Sequence, residues 1–333
     1  MRFTAIVALG LIGAAGTSGF FLSSSASTSY EVIHGWPILT DDYILGQVSG
    51  VGVDSHNRVF VLHRADVPWI DKLNDHPIQS PTIMCFDSGT GKLLSSWGTN
   101  IFLNPHGLAV DRDDNIWVTD CGRQQVLKFA NDGKLLMTVG EKGKAGLDGQ
   151  HFNQPTDIAI APDGSFYVAD GYVNSRVAKF SSDGQFLLDW GRHGSKPGEL
   201  DTPHGIALDR EGRVYVADRG NVRIQVFKPD GTFLYQWKST QLGRPWAIRL
   251  GPDGYLYVVD GGDMNGGSKP KPPDRGYIIK LDLQGNILEK WGRFGNYDGQ
   301  LFWGHAVAIG NDGSVYVGDI QGRRVQKFVP PKN

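Results

Sequence analysis

His204-Gly-Ile-Ala-Leu-Asp-Arg-Glu-Gly-Arg-Val-Tyr-Val-Ala-Asp218 is the stretch that decides the fold. Alone it reads as a strand, a tight turn and a second strand. β-Branched and aromatic residues alternate with small ones, and Glu211-Gly212 offers the positive φ that a tight hairpin needs. The stretch recurs as His106 to Asp120, Asp157 to Asp170 and His305 to Asp319, and in diverged form as Val51 to Arg64 and Trp246 to Asp260. That makes six copies. Each is followed by a third strand, such as Arg176-Val-Ala-Lys-Phe180 or Arg223-Ile-Gln-Val-Phe227. A fourth strand ends in Trp-Gly, as at Trp97-Gly98, Trp190-Gly191 and Trp291-Gly292. Four short antiparallel strands in a unit of roughly 40–50 residues describe a propeller blade, so the chain reads as an all-β, six-bladed β-propeller.

Ring closure is also readable. The sixth unit stops at Phe328 without an outer strand, and Tyr30 to Trp36 resembles an orphan outer strand. Joining the two removes an exposed edge. Residues 30–329 are therefore expected to form one propeller domain, with 1–29 as signal peptide and linker and 330–333 as a tail. The Gly-, Pro- and Lys-rich stretch Gly261 to Asp274 reads as a loop of the fifth blade.

Arg2, the uncharged apolar run Ile6 to Leu22 and the small-x-small triplet Ser24-Ser25-Ala26 read as an export signal, with a retained anchor as the alternative. The chain is thus expected to be secreted or periplasmic. A formal net charge of −2 over 333 residues carries no electrostatic footprint for nucleic acid or an anionic membrane. A closed ring gives no reason to expect an oligomer, so a monomer is expected. Cys85 and Cys121 are the two cysteines. They fall in neighbouring repeats, where a disulfide and two free thiols are both open.

The channel-facing start of each first strand holds Gly50, His106, Thr156, His204, Trp246 and His305 or an immediate neighbour. The three histidines sit in alternate blades, about 120° apart around a six-fold ring, so their imidazoles converge on the axis. Three protein ligands with an open fourth position are the arrangement of a catalytic zinc. Imidazole also suits copper, iron and nickel. A second set lies where the second strands end, at the same mouth: Arg64, Arg219 and Tyr172. An arginine can clamp a carboxylate with two parallel bonds, or brace a loop. A tyrosine beside a metal and arginines is expected to have a lowered pKa and to serve as acid or base. His34, His56, His63, His76, His151 and His193 share no pattern and are expected at the surface or in turns.

The stretches Asp218-Arg-Gly-Asn221-Val-Arg223 and Asp170-Gly-Tyr-Val-Asn174-Ser-Arg176 resemble the Asp-x-x-Asn-x-Arg signature of NHL-repeat propellers. Their Asp and Arg residues are expected to brace each blade. Together with Val-Phe-Val-Leu-His63-Arg64, Pro105-His106-Gly, Pro203-His204-Gly and Ala-Asp218-Arg219, they resemble the peptidyl-α-hydroxyglycine α-amidating lyase family over nearly the whole chain after the export signal. The resemblance implies cleavage of a peptidyl- or N-acyl-α-hydroxyglycine to an amide and glyoxylate. It implies zinc on His106, His204 and His305, Arg64 and Arg219 facing substrate, and Tyr172 as catalytic acid and base. It also implies a calcium in the channel, held partly by the carbonyls of Val51 and Leu108. The family's aspartate after the third histidine is Ala306 here, and a carboxylate is a major calcium ligand. The family's cysteine after the tyrosine is Val173, and no cysteines flank Arg219, so both family disulfides are missing. The hydroxylating monooxygenase domain is not on this sequence, so the substrate is expected from a separate protein or from elsewhere. A calcium-dependent lactonase and a non-catalytic NHL propeller that binds a protein are the alternatives. Three channel histidines argue against the first.

Overall fold

The computed structural model describes residues 29–40, 43–69, 72–262 and 275–331. The stretch expected to be an export signal, most of the 261–274 stretch and the last two residues lie outside them. Among the described residues there are no helices, and none long and apolar enough to cross a membrane. The strands form six separate four-stranded antiparallel sheets. Blade 4 is typical, with strands Pro203–Leu208, Val214–Asp218, Arg223–Phe227 and Phe233–Trp237 in spatial as well as chain order. The Asp-Gly hairpins turn as the sequence requires: Gly164 has φ 85° and Gly254 φ 81°, values that a residue without Cβ adopts freely.

The ring closes as expected. Glu31–Val32 pairs antiparallel with Arg324–Val329 and supplies the outer strand of blade 6. Tyr30 fixes that strand in place. Its ring stacks on Trp291 of blade 5 at 4.2 Å, and its hydroxyl bonds that of Tyr257 at 3.0 Å.

There is no single central core. Apolar residues gather in six main clusters, one at each interface between neighbouring blades. Phe60, Ile83 and Phe102 meet Ile116 and Val118 between blades 1 and 2, and Leu45, Val48 and Val61 meet Tyr316 and Val325 between blades 1 and 6. Side chains on both faces of each inner sheet region are buried, which is why the strands read as apolar on both parities.

The second strand of blades 2 to 6 ends in a fully buried aspartate: Asp120, Asp170, Asp218, Asp260 and Asp319. Each carboxylate accepts backbone N–H groups from the segment entering its own blade, as Asp319 does from Phe302 and Trp303 at 2.8 Å each. In the middle blades it also takes an arginine: Arg176 to Asp170 at 3.0 Å and Arg223 to Asp218 at 2.7 Å. The bracing role expected for these four residues is borne out. In blade 1 the aspartate's place is taken by His63, which is fully buried rather than a surface or turn residue. Its Nδ1 accepts the N–H groups of Gly46 at 3.1 Å and Ala65 at 3.0 Å, and burial lowers its pKa to about 4. Of the other unpatterned histidines, His34, His56, His76 and His193 are exposed and His151 is half-buried.

Candidate active site

Six inner strands line the channel. In five of them the ladder slips by a bulge at the channel residue: Ser49, His106-Gly107, His204, Trp246 and His305. A bulge puts an extra residue against the partner strand and re-aims its side chain. Here it turns three imidazoles onto the axis. Blade 1 presents Ser49, one residue before the expected Gly50.

His106, His204 and His305 are buried, and their ring centroids form a near-equilateral triangle with sides of 4.8, 4.7 and 4.8 Å. One ligand atom from each lies within 4.8 Å of the others. The Nδ1 of each donates to a main-chain carbonyl of the next blade: His106 to Thr156 at 2.6 Å, His204 to Trp246 at 2.7 Å and His305 to Ser49 at 2.8 Å. A proton held on Nδ1 leaves the Nε2 lone pair free, which is the tautomer a metal ligand needs. Burial lowers all three pKa values, His305 to about 3 and the other two well below the usual imidazole range. The neighbouring arginines and histidines add to the effect. Neutral imidazoles converging on one point fit a bound transition metal.

Tyr172 stands over this point. Its hydroxyl lies 2.9 Å from His106 Nε2 and 3.2 Å from His204 Nε2. The expectation of a lowered phenol pKa is not met by protein groups. Burial raises it, and the pull of Arg219 and Arg64 does not cancel that. The Arg219 guanidinium lies 5.3 Å from the centre of the Tyr172 ring and 4.5 Å from that of Trp246. Arg64 is almost wholly buried. Its Nε donates to Pro105 O at 3.1 Å and its Nη1 to Gln47 Oε1 at 3.0 Å, while its Nη2 is buried without a hydrogen-bond partner. Among the described residues neither arginine forms an ion pair with a carboxylate. A buried guanidinium with an open donor is suited to an incoming carboxylate.

Sequence reasoning missed Trp69 and Gln47. The Trp69 ring packs edge-on against Tyr172 at 5.2 Å and lies 5.0 Å from the Arg64 guanidinium. Gln47 Oε1 holds both Arg64 and the Trp69 N–H. Both residues precede or follow the blade 1 repeat, so repeat alignment carries no signal for them. Cys85 and Cys121 are both free and buried, and the Cys121 thiol donates to Pro155 O at 3.1 Å.

Of the oxygens that the resemblance assigns to a calcium, one is engaged and one is missing. The Leu108 carbonyl already accepts the Arg249 guanidinium at 3.1 Å, and Ala306 brings no carboxylate.

The NHL repeat pattern matches residues 102–129, 152–180 and 200–227. Peptidyl-α-hydroxyglycine α-amidating lyase 2 of Drosophila melanogaster is 34% identical over 323 residues, covering 90% of this chain and 75% of that protein. The chain belongs to the peptidyl-α-hydroxyglycine α-amidating lyase family. It is also 39% identical to peptidyl-glycine alpha-amidating monooxygenase B of Xenopus laevis over 86% of its own length, and spans about a third (34%) of that larger protein. Among solved structures, a streptogramin B lyase matches with a TM-score of 0.60 at 15% identity, over 92% of this chain and 99% of the other, which is a likeness of fold.

Proposed function

We propose that this amidating-lyase family member cleaves the C–N bond of a peptidyl- or N-acyl-α-hydroxyglycine, releasing an amide and glyoxylate, at a zinc held by His106, His204 and His305. The observation that carries the reading is the Tyr172 hydroxyl, within 3.2 Å of two inward-facing Nε2 atoms and flanked by two arginines without carboxylate partners among the described residues. The reaction removes the proton of the substrate hydroxyl as the aldehyde forms and adds one to the departing amide nitrogen. Tyr172 is the group within reach of both events: it takes the hydroxyl proton and returns it to nitrogen, so the balance closes without another reactant. The Arg64 Nη2 receives the glycine-derived carboxylate, and Arg219 covers the other side of the phenol. Zinc, when bound, acts as a Lewis acid that lowers the hydroxyl's pKa and offsets the burial that raises the phenol's.

Export, suggested by the first 26 residues, belongs to the same reading. A lactonase would need acidic ligands in the channel. Asp157, which lies there, is engaged by Arg249. Elemental analysis of the purified protein beside His204→Ala tests the metal. About one zinc per chain, absent from the variant, is expected. No transition metal after incubation with zinc would leave a binding propeller as the better account.

A further inference from the structure

We infer that the channel of this chain carries its own fixed cation, the Arg249 guanidinium, where the family resemblance puts calcium, and that the folded protein binds no calcium there. The inference uses the resemblance only to locate the calcium and does not depend on the lyase reaction.

Arg249 lies near the end of the inner strand of blade 5, Pro245–Leu250, and its side chain crosses the channel below the histidines. It meets the Asp157 carboxylate of blade 3 with both arms, Nη1 at 2.6 Å and Nη2 at 2.7 Å. Nη1 also donates to the carbonyls of Ile206 at 3.1 Å and Ile248 at 2.9 Å, and Nη2 to that of Leu108 at 3.1 Å. Asp157 in turn accepts the Ile206 N–H at 3.0 Å. One side chain thus links the inner strands of blades 2, 3, 4 and 5. A central ion would otherwise do this by collecting their carbonyl oxygens.

Calcium needs six to eight oxygen ligands, usually with more than one carboxylate charge among them. Three of the oxygens here are already engaged. Leu108's carbonyl and both Asp157 oxygens face a guanidinium, so the pair contributes no net charge to attract a dication. Ala306, in blade 6, removes the carboxylate that would have restored it. Only the space between the histidines and Arg249 is tightly filled. A cavity of about 10 Å³, roughly one water, separates the histidines from Arg249, while the channel below opens to about 240 Å³ between Val51, Leu108 and Arg249. The planar fork of an arginine suits this role, since it is always charged and its donors are fixed in direction. In this channel a covalently built-in cation therefore replaces an exchangeable one.

Calcium binding to the zinc-loaded protein tests this directly. Equilibrium dialysis against radioactive calcium up to about 1 mM, the weak end of structural calcium sites, should find no bound calcium attributable to the channel. The melting temperature should not change with added calcium. About one calcium per chain that raises the melting temperature and is lost in Asp157→Asn would overturn the inference. The double variant Arg249→Met/Ala306→Asp removes the cation and returns the carboxylate. It should gain about one calcium per chain and a calcium-dependent melting temperature. A folded double variant that takes up none counts against Arg249 as the occupant. If it does not fold, the wild-type dialysis still decides.

Discussion

At the scale of single residues, the site depends on which atom of each side chain is already committed. The histidines have spent Nδ1 on carbonyls, which leaves Nε2, and Arg64 has spent Nε and Nη1, which leaves Nη2. Tyr172→Phe removes the hydroxyl without touching a ligand. Turnover should fall by about 10²-fold or more with zinc content unchanged. Arg64→Lys keeps the charge but cannot reach Pro105, Gln47 and a substrate carboxylate together, so KM should rise on the order of 10-fold. His63 gives a prediction that is independent of catalysis. Its folded pKa of about 4 lies below the usual 6.5, so the unfolded chain binds more protons in between. Its contribution is intact above pH 6.5 and shrinks as pH falls toward 4. Between about pH 7.5 and 5 the wild type should lose about 2 kcal/mol more stability than His63→Asn in urea titrations. The trio and Tyr172 were legible in the sequence because they recur at, or beside, a fixed point of the repeat. His63, Trp69 and Gln47 were not. His63 breaks the aspartate pattern in a diverged copy, and the other two lie in connecting segments where no period applies.

At the scale of elements, the bulge is the device that converts an ordinary inner strand into a ligand holder. It needs small residues beside it. A Cβ on Gly107 would come within 2.6 Å of Thr156 O, the carbonyl that orients His106, and 2.9 Å of Asp157 Cα. Gly107→Ala should therefore weaken zinc binding by about 10–100-fold, measured by competition with a chelating dye, while the blade itself stays folded. The closing strand is the other critical element. Tyr30→Ala removes its stack on Trp291 and its bond to Tyr257, and should cost about 3 kcal/mol and expose the last blade to proteolysis. Both elements were half-legible. The orphan strand followed from a missing partner, which is a counting matter. The bulges did not, because a ladder slip is a property of paired strands and leaves no mark in one strand's alternation. For that reason the sequence places the blade 1 position only to Gly50 or a neighbour, and the bulge puts it at Ser49.

At the scale of the whole molecule, six interfaces share the apolar burial and the channel ties their inner edges together. The sequence period made the six blades and their order plain. It did not show the Arg249–Asp157 pair, because those residues are 92 positions apart in sequence and meet only across the closed ring. The proposed zinc, held by ligands from blades 2, 4 and 6, would add its binding free energy to the folded state, so chelation should lower the melting temperature of the wild type and leave that of His204→Ala unchanged. The most direct measurement is the release of glyoxylate from α-hydroxyhippurate by zinc-loaded protein. The account predicts glyoxylate and benzamide in equal amounts, with the reaction lost in a Tyr172→Phe protein that keeps its zinc. Fully zinc-loaded wild type that releases no glyoxylate, or a Tyr172→Phe protein that releases it at the wild-type rate, would contradict it.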